Sequence, residues 1–283
     1  MNKENNLKDI LSKKFPFIKK EDLPRKVRFI GNIALIRCSE KLDPYLKEIG
    51  EIIMKLYPST KSVLKIERIE GDYRIPKIKL IAGNNNTETI HKEYGCKYKL
   101  DVSKLMFCLG NSFERVRTAI QVREWETIID MFGGIGQFSI PAAKISRAKK
   151  IYAIEINPLA YYYLKENIKL NGTYNIEAIL GDSREIILNK LRGVADRVFM
   201  GYFPETIKFF EYGLEAISEK GGIIHFHDLI EKENGLEKII KKIFNIAISK
   251  NYYIDIVDSH VVKSYSKYLV HIAIQFFAIP KGK

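Results

Sequence analysis

The 283-residue chain is 46% hydrophobic and 29% charged, with a net charge of +13, a balance that excludes disorder, collagen-like sequence and a disulfide scaffold. No uninterrupted apolar run approaches the ~18 residues of a membrane span, and the N-terminus lacks the apolar stretch of a secretory signal, so a cytoplasmic protein is expected. At ~150 residues per domain, the length allows about two domains.

The charge is uneven. Residues 1–104 hold 23 Lys and Arg against 14 Asp and Glu, whereas residues 105–283 hold 24 against 20. A basic first third suggests a polyanion, and phosphate backbones are the commonest one. A Lys-rich solubilising surface is the plainer alternative. The three cysteines, Cys38, Cys96 and Cys108, show no C-x-x-C spacing and fit reduced thiols. No structural metal site is expected.

Residues 1–25 read as polar and helical, interrupted near Pro16 and ended by Pro24. Residues 27–37 read as one strand. Asp43-Pro44 opens an amphipathic helix to about residue 56. Residues 62–82 suggest a hairpin broken near Gly71-Asp72, 83–86 a turn, and 91–101 a further strand. Beyond about residue 101 the pattern becomes regular. Strands are predicted at 127–131, 151–155, 176–180, 197–200, 222–227, 254–259 and 268–277. Helices are predicted at 137–146, 158–170, 184–189, 205–218 and 235–250. This alternation predicts an α/β fold, a mostly parallel sheet covered on both faces. The expected division is a basic α+β domain over 1–100 and a Rossmann-like domain over 101–283. Ligands of such sheets bind at the C-terminal ends of the strands.

The first of these parallel strands runs into Asp130-Met-Phe-Gly-Gly-Ile-Gly136. Glycines such as Gly133 and Gly136 let backbone approach a ligand closely. The spacing is not the dinucleotide fingerprint G-x-G-x-x-G, which disfavours a pyrophosphate ligand. Glu155 ends the second strand, where a carboxylate can accept from both ribose hydroxyls. Asp182, followed by Ser183, ends the third and faces the place of an adenine. Asp130, Glu155 and Asp182 on successive strand ends are similar to the arrangement in class I S-adenosylmethionine (SAM)-dependent transferases.

Just upstream, Met106-Phe-Cys108-Leu-Gly-Asn111-Ser-Phe-Glu114-Arg115-Val-Arg117 resembles a signature of one tRNA-modifying group, as do His91-Lys-Glu-Tyr-Gly95 and Asp101-Val-Ser-Lys-Leu-Met-Phe107. That group holds the tRNA guanine-37 methyltransferases and the wybutosine-synthesising aminocarboxypropyltransferases. The methyltransferases carry an Asn-Leu-Pro-type motif at the end of the fourth strand. Here the strand ends Met200-Gly201-Tyr202, and Ile223-Ile-His225-Phe-His227-Asp228 follows. This looks like the aminocarboxypropyl branch, known in archaea and eukaryotes. Cys108 stands where that branch often has Ser, so a backbone contact to the cofactor would survive and a hydroxyl contact would not.

The resemblance implies SAM as co-substrate and, as partner, tRNA(Phe) carrying 4-demethylwyosine, whose ring carbon attacks the γ-carbon of the methionine chain and releases methylthioadenosine. Positioning is then the main catalytic device. Arg115 is the first candidate for the chain's carboxylate, because a guanidinium binds it bidentately; pairing with Glu114 is the plainer alternative. Tyr202 sits where a target base would stack. His225 and His227 point to one face of their strand and are candidates for packed, hydrogen-bonded side chains first, then for the base or substrate contacts, and last for metal ligands. Cys108, Arg115, Asp130, Gly133, Gly136, Glu155, Asp182 and Ser183 are the expected cofactor contacts. Lys13, Lys14, Lys19, Lys20, Arg25, Lys26 and Arg28 are candidates for the tRNA backbone. A monomer is expected. The competing readings are a guanine-37 methyltransferase, which would release S-adenosylhomocysteine, and a non-catalytic RNA-binding protein with a relict cofactor fold.

Overall fold

A computed structural model describes residues 3–24, 26–71 and 75–282. They form two compact units, one of residues 1–93 with 97–107 and the other of residues 94–96 with 108–283.

The first unit begins with helix α1 (Lys3–Lys14), strands β1 (Arg28–Ile30) and β2 (Ile33–Ile36), and helix α2 (Leu46–Leu56). Strands β3 (Ser62–Glu70) and β4 (Ile75–Gly83) and a hairpin of β5 (Glu88–Glu93) and β6 (Cys96–Asp101) follow. The single strand expected over 27–37 is a tight hairpin instead, because Gly31 turns in the left-handed region at φ 55°. β2 pairs parallel with β3, and β3 antiparallel with β4. Leu7 and Leu11 of α1 join Ile49 and Ile53 of α2 over this sheet. The expected turn at Asp72 lies outside the described residues.

The second unit holds α3 (Ser112–Ile120), β7 (Thr127–Asp130), α4 (Ser139–Ile145), β8 (Lys150–Glu155), α5 (Pro158–Asn171), β9 (Ile176–Leu180), α6 (Ser183–Ile186) and β10 (Arg197–Met200). It continues with α7 (Phe210–Ala216), β11 (Gly222–Glu231), α8 (Gly235–Ser249), β12 (Tyr252–Ser264) and β13 (Leu269–Pro280). The seven-stranded sheet has the order β12-β13-β11-β10-β7-β8-β9. Strands β7 to β11 run parallel, while β13 inserts antiparallel between β11 and β12. The central strands are apolar and covered on both faces, as parallel strands require. The polarity change from β7 to β8 on one side and β10 on the other creates the switch point at their C-terminal ends.

Local signals fix the elements around that point. Asn157 accepts from the Leu159 and Ala160 amides at the start of α5, where Pro158 needs no partner, and Gly172 closes the helix in the left-handed conformation. The helix expected from residue 205 starts as a 3-10 turn and becomes α-helical only at Phe210, since Glu205 sits at φ 72°. β11 runs to Glu231, four residues past the expected end, because β13 pairs along its full length.

Candidate functional site

The glycine turn follows β7 and is bound to the strand beside it. Gly133 donates to the Ile154 carbonyl at 2.7 Å. A Cβ at Gly133 would meet Ala153 and the Ile154 oxygen at 3.3 Å, and one at Gly136 would meet the Ile140 side chain at 2.5 Å. Backbone therefore lies where side chains would otherwise stand. The Asn167 amide donates to the Ile135 carbonyl at 3.1 Å and ties the turn to α5.

Two carboxylates hold this turn. Asp130 is buried and accepts from the Ser139 hydroxyl at 2.6 Å and the Phe132 amide at 3.2 Å. Burial pushes its carboxyl up to about 6. Its oxygens serve the loop, so Asp130 holds the glycine turn from beneath. Glu155, partly exposed at the end of β8, accepts from the Gly134 and Asn157 amides, each at 2.7 Å. Burial raises its carboxyl as well. Asp182 follows β9 and caps α6 through the Arg184 amide. Arg184 also folds its guanidinium back onto that carboxylate, with contacts of 2.5 to 3.1 Å, and holds the carboxyl below its ordinary range. Ser183 is buried at the first position of α6.

An aromatic wall closes the other side. The Phe132 and Tyr202 rings stack at 5.1 Å, and Phe209 meets Phe132 edge-on at 5.0 Å. The Arg184 guanidinium lies 5.3 Å over Phe209. Tyr202 is partly exposed. Asp228 of β11 fixes the loop carrying Tyr202, accepting from the Glu205 amide at 2.9 Å and the Ile207 amide at 3.3 Å. Gly201 lies against Phe138, whose ring stands 2.7 Å from where a Cβ would be. Phe132, Phe138, Phe209 and Arg184 were not among the expected site residues. A phenylalanine inside the glycine turn was the one available signal.

Two expected site residues are fully buried. His225 is fully buried in β11, paired with Phe199 next to the end of β10. Its Nε2 accepts from Arg197, which itself grips Glu126 through contacts of 2.6 and 2.8 Å. Burial and the adjacent guanidinium push the imidazole well below its ordinary value. His225 is thus a neutral structural acceptor within a buried ion-pair network, although its backbone lies level with the ends of β7 and β10. Arg115 is also buried, and its Nη1 donates to the Cys108 carbonyl at 3.0 Å. Its guanidinium thereby ties α3 to the segment that enters it.

Glu114, beside it, is buried and takes three cationic or imidazole neighbours. Arg117 donates to both of its oxygens, His260 lies 2.9 Å away and His227 3.8 Å away. Burial opposes its charge, yet Arg117 and the histidines hold its carboxyl below the ordinary range. His227 Nδ1 lies 3.2 Å from Nε2 of His271, whose ring stacks on Phe203 at 4.3 Å. Burial lowers His227 to about 4 and His271 to about 2. Both therefore stay neutral at physiological pH.

Among the described residues, no group of three or more His, Cys, Asp or Glu side chains is arranged to hold a metal ion. No described helix is long and apolar enough to cross a membrane.

Residues 89–255 match the TRM5/TYW2 methyltransferase domain, and residues 7–87 match the TYW2 N-terminal domain. The chain is 39% identical over 249 residues to the tRNA(Phe) (4-demethylwyosine(37)-C(7)) aminocarboxypropyltransferase of Methanocaldococcus jannaschii, covering 88% of this chain and 96% of that protein. It is 38% identical over 255 residues to the tRNA (guanine(37)-N(1))-methyltransferase Trm5b of Pyrococcus abyssi, covering 90% of this chain and 75% of that one. Among solved structures, Pyrococcus horikoshii TYW2 in complex with MeSAdo superposes with a TM-score of 0.82 at 30% identity, covering 98% of this chain and 99% of that one.

Proposed function

The chain belongs to the TRM5/TYW2 family, and we infer from this membership that it is a SAM-dependent tRNA aminocarboxypropyltransferase. It transfers the 3-amino-3-carboxypropyl group of SAM to carbon 7 of 4-demethylwyosine at position 37 of tRNA(Phe). The reaction belongs to wyosine and wybutosine biosynthesis.

The observation that carries this reading within the family is the end of β10. Gly201 lies so close to Phe138 that a side chain there would enter the ring. The Asn-Leu-Pro type of strand end therefore does not fit without moving Phe138. The match of residues 7–87 to the TYW2 N-terminal domain supports the same branch.

The chemistry follows from SAM itself. Its sulfonium activates three carbons equally in kind, and orientation decides which one reacts. The electron-rich ring carbon attacks the γ-carbon, the γ-carbon–sulfur bond breaks, and methylthioadenosine leaves with the bonding pair. The ring then loses its proton and regains aromaticity. In this reading Glu155 accepts from the ribose hydroxyls and Asp182 faces the adenine amino group. Gly133 and Gly136 admit the cofactor, and Asp130 and Ser183 brace the two loops beneath it. Cys108 contributes backbone, and Tyr202 stacks on the tricyclic base.

The first unit supplies basic surface for the tRNA backbone. Lys13, Lys14, Lys19, Lys20, Lys26 and Arg28 are all exposed. Lys26 and Arg28 line a hollow together with Arg37. Lys14 is paired with Glu48, which leaves the others better placed for phosphate. Arg25 lies outside the described residues. Binding through such contacts weakens steeply with salt.

Incubation with SAM and tRNA bearing 4-demethylwyosine, followed by mass spectrometry of the digested nucleosides, tests the reading. A nucleoside heavier by the aminocarboxypropyl group supports it. One heavier by a methyl group refutes it.

A further inference from the structure

Position 37 of a tRNA lies in an unpaired loop, so a target base that reaches Tyr202 arrives flanked by other unpaired nucleotides. We propose that the tip of the β12–β13 hairpin, through Tyr265 and Tyr268 with Lys267 beside them, stacks on and holds the unpaired nucleotides next to the target base. The inference rests on the reading of the protein as a tRNA-modifying enzyme and adds a second RNA contact to it.

The register of the sheet carries this tip to the ligand end. Met200, the last residue of β10, pairs with Phe226 of β11. β11 then runs on to Glu231, which pairs with Leu269 at the start of β13. The turn over residues 265–268 therefore stands beyond the ends of the parallel strands, on the side where ligands of such sheets bind. There it meets the loop that carries Tyr202. Phe203, next in the chain to Tyr202, lies edge-on to the Tyr265 ring at 6.5 Å, and its other neighbour is the His271 ring at 4.3 Å.

Hydrogen bonds hold the turn without help from the two phenol rings. The Tyr265 and Ser266 amides donate to the Leu269 carbonyl at 3.0 and 3.1 Å. The Ser266 hydroxyl oxygen accepts from the Tyr268 and Leu269 amides at 3.2 and 3.1 Å. The Lys232 amide donates to the Tyr268 carbonyl at 3.0 Å and ties the tip to the end of β11. Yet Tyr268 is 68% exposed and Tyr265 48%. Rings so exposed add little to stability. A fixed, uncovered aromatic ring is what an unstacked base needs.

Charge selects the same partner. The Lys267 ammonium lies 5.2 Å from the centroid of the Tyr268 ring, so a cation and a stacking surface are presented together. No Asp or Glu occurs from residue 259 to residue 283, a stretch that holds Lys263, Lys267, Lys281 and Lys283. Glu231, the carboxylate at the neighbouring end of β11, is paired with Lys238 at 2.9 Å. Exposed rings interleaved with unopposed lysines suit a polyanion that carries flat, unstacked bases, and suit an acidic or apolar protein surface less well.

The test compares two RNAs by fluorescence anisotropy: the anticodon stem–loop of tRNA(Phe) bearing 4-demethylwyosine, and the same stem as a continuous duplex without a loop. The proteins are wild type, Y265A, Y268A, Y268F and K267M. Loss of one stacked base is worth roughly tenfold or more in affinity. Y265A and Y268A are each expected to bind the stem–loop roughly tenfold or more weakly, while Y268F stays within about twofold of wild type. Duplex affinity should not change, and an unchanged affinity for methylthioadenosine shows that the variants are folded. K267M should lower the slope of log affinity against log salt by about 0.7, the share of one single-strand phosphate. Wild-type stem–loop affinity in the Y265A/Y268A double variant overturns the proposal. An equal loss on stem–loop and duplex overturns it too, and makes the tip a backbone contact, as does a wild-type protein that does not prefer the stem–loop. If the wild-type protein releases S-adenosylhomocysteine, the functional reading fails, while the loop-to-duplex ratio still decides the role of the tip.

Discussion

Replacing Gly201 by alanine adds one methyl group at the position that separates this strand end from the Asn-Leu-Pro type. The new Cβ would stand 2.7 and 3.0 Å from two carbons of the Phe138 ring, several tenths of an ångström inside ordinary contact. The ring has little freedom to yield, because it is buried and touches Phe199 at 6.1 Å and His227 at 5.4 Å between centroids. Overpacking of this kind costs about 1–3 kcal/mol. At about 2–4 °C per kcal/mol for a domain of this size, the second unit should melt roughly 2–12 °C lower. The strand end can instead move outward and carry Tyr202 with it. A displacement of the stacking ring by about 1 Å can cost on the order of 100-fold in rate. Thermal denaturation and single-turnover transfer to tRNA bearing 4-demethylwyosine measure the two effects. A G201A protein with wild-type melting temperature and wild-type transfer rate would refute the reasoning, since it would mean that the strand end has room for a side chain.

Other substitutions separate structure from chemistry. Glu126→Gln leaves the Arg197 guanidinium buried beside His225 and should destabilise by about 3–5 kcal/mol in urea unfolding; the double variant with Arg197→Met should recover part of that loss. His225→Asn should lower stability yet leave the transfer rate of the folded protein nearly unchanged, and a collapse of the rate at full stability would restore His225 to the chemistry. Tyr202→Phe should keep the affinity for modified tRNA, whereas Tyr202→Ala should lose about 1–3 kcal/mol, read as a rise in KM for tRNA. Acid should destabilise the second unit. His227 and His271 have folded values of about 4 and about 2, so the unfolded chain binds more protons below its ordinary histidine value of about 6.5. Their contribution is complete above that pH and is lost as pH falls toward the folded values. Asp130, raised to about 6, opposes this, since its contribution is lost as pH rises through that value. Two buried histidines outweigh one carboxyl, and His271→Phe should flatten the stability curve between about pH 6.5 and 4.

The parallel half of the sheet was legible because its strands are short, almost continuous apolar runs, each ended by a turn or a cap. Asn157-Pro158 and Gly172 mark the bounds of α5 without any tertiary information. The positions of Asp130, Glu155 and Asp182 were legible for the same reason, since strand ends follow directly from the strands. What failed was long-range pairing. β11 extends through Asp228 to Glu231 because β13 lies against it, and no local pattern announces that. His225 looked available because its partner Arg197 lies 28 residues away, and Glu126, which pairs with Arg197, lies 71 residues from that arginine. The bond from Arg115 to the Cys108 carbonyl was not legible either, because sequence cannot say which way a helical side chain turns. The contact of Lys263 with Cys108 is hidden in the same way, since it spans 155 residues and depends on the register of β12 on β13.

The central claim is the identity of the group transferred, and carboxyl-labelled SAM tests it most directly. With tRNA bearing 4-demethylwyosine, label should enter the tRNA while methylthioadenosine accumulates in equal amount. Unlabelled but modified tRNA, with S-adenosylhomocysteine as the small product, would contradict the account and place this chain with the methyltransferases of its family.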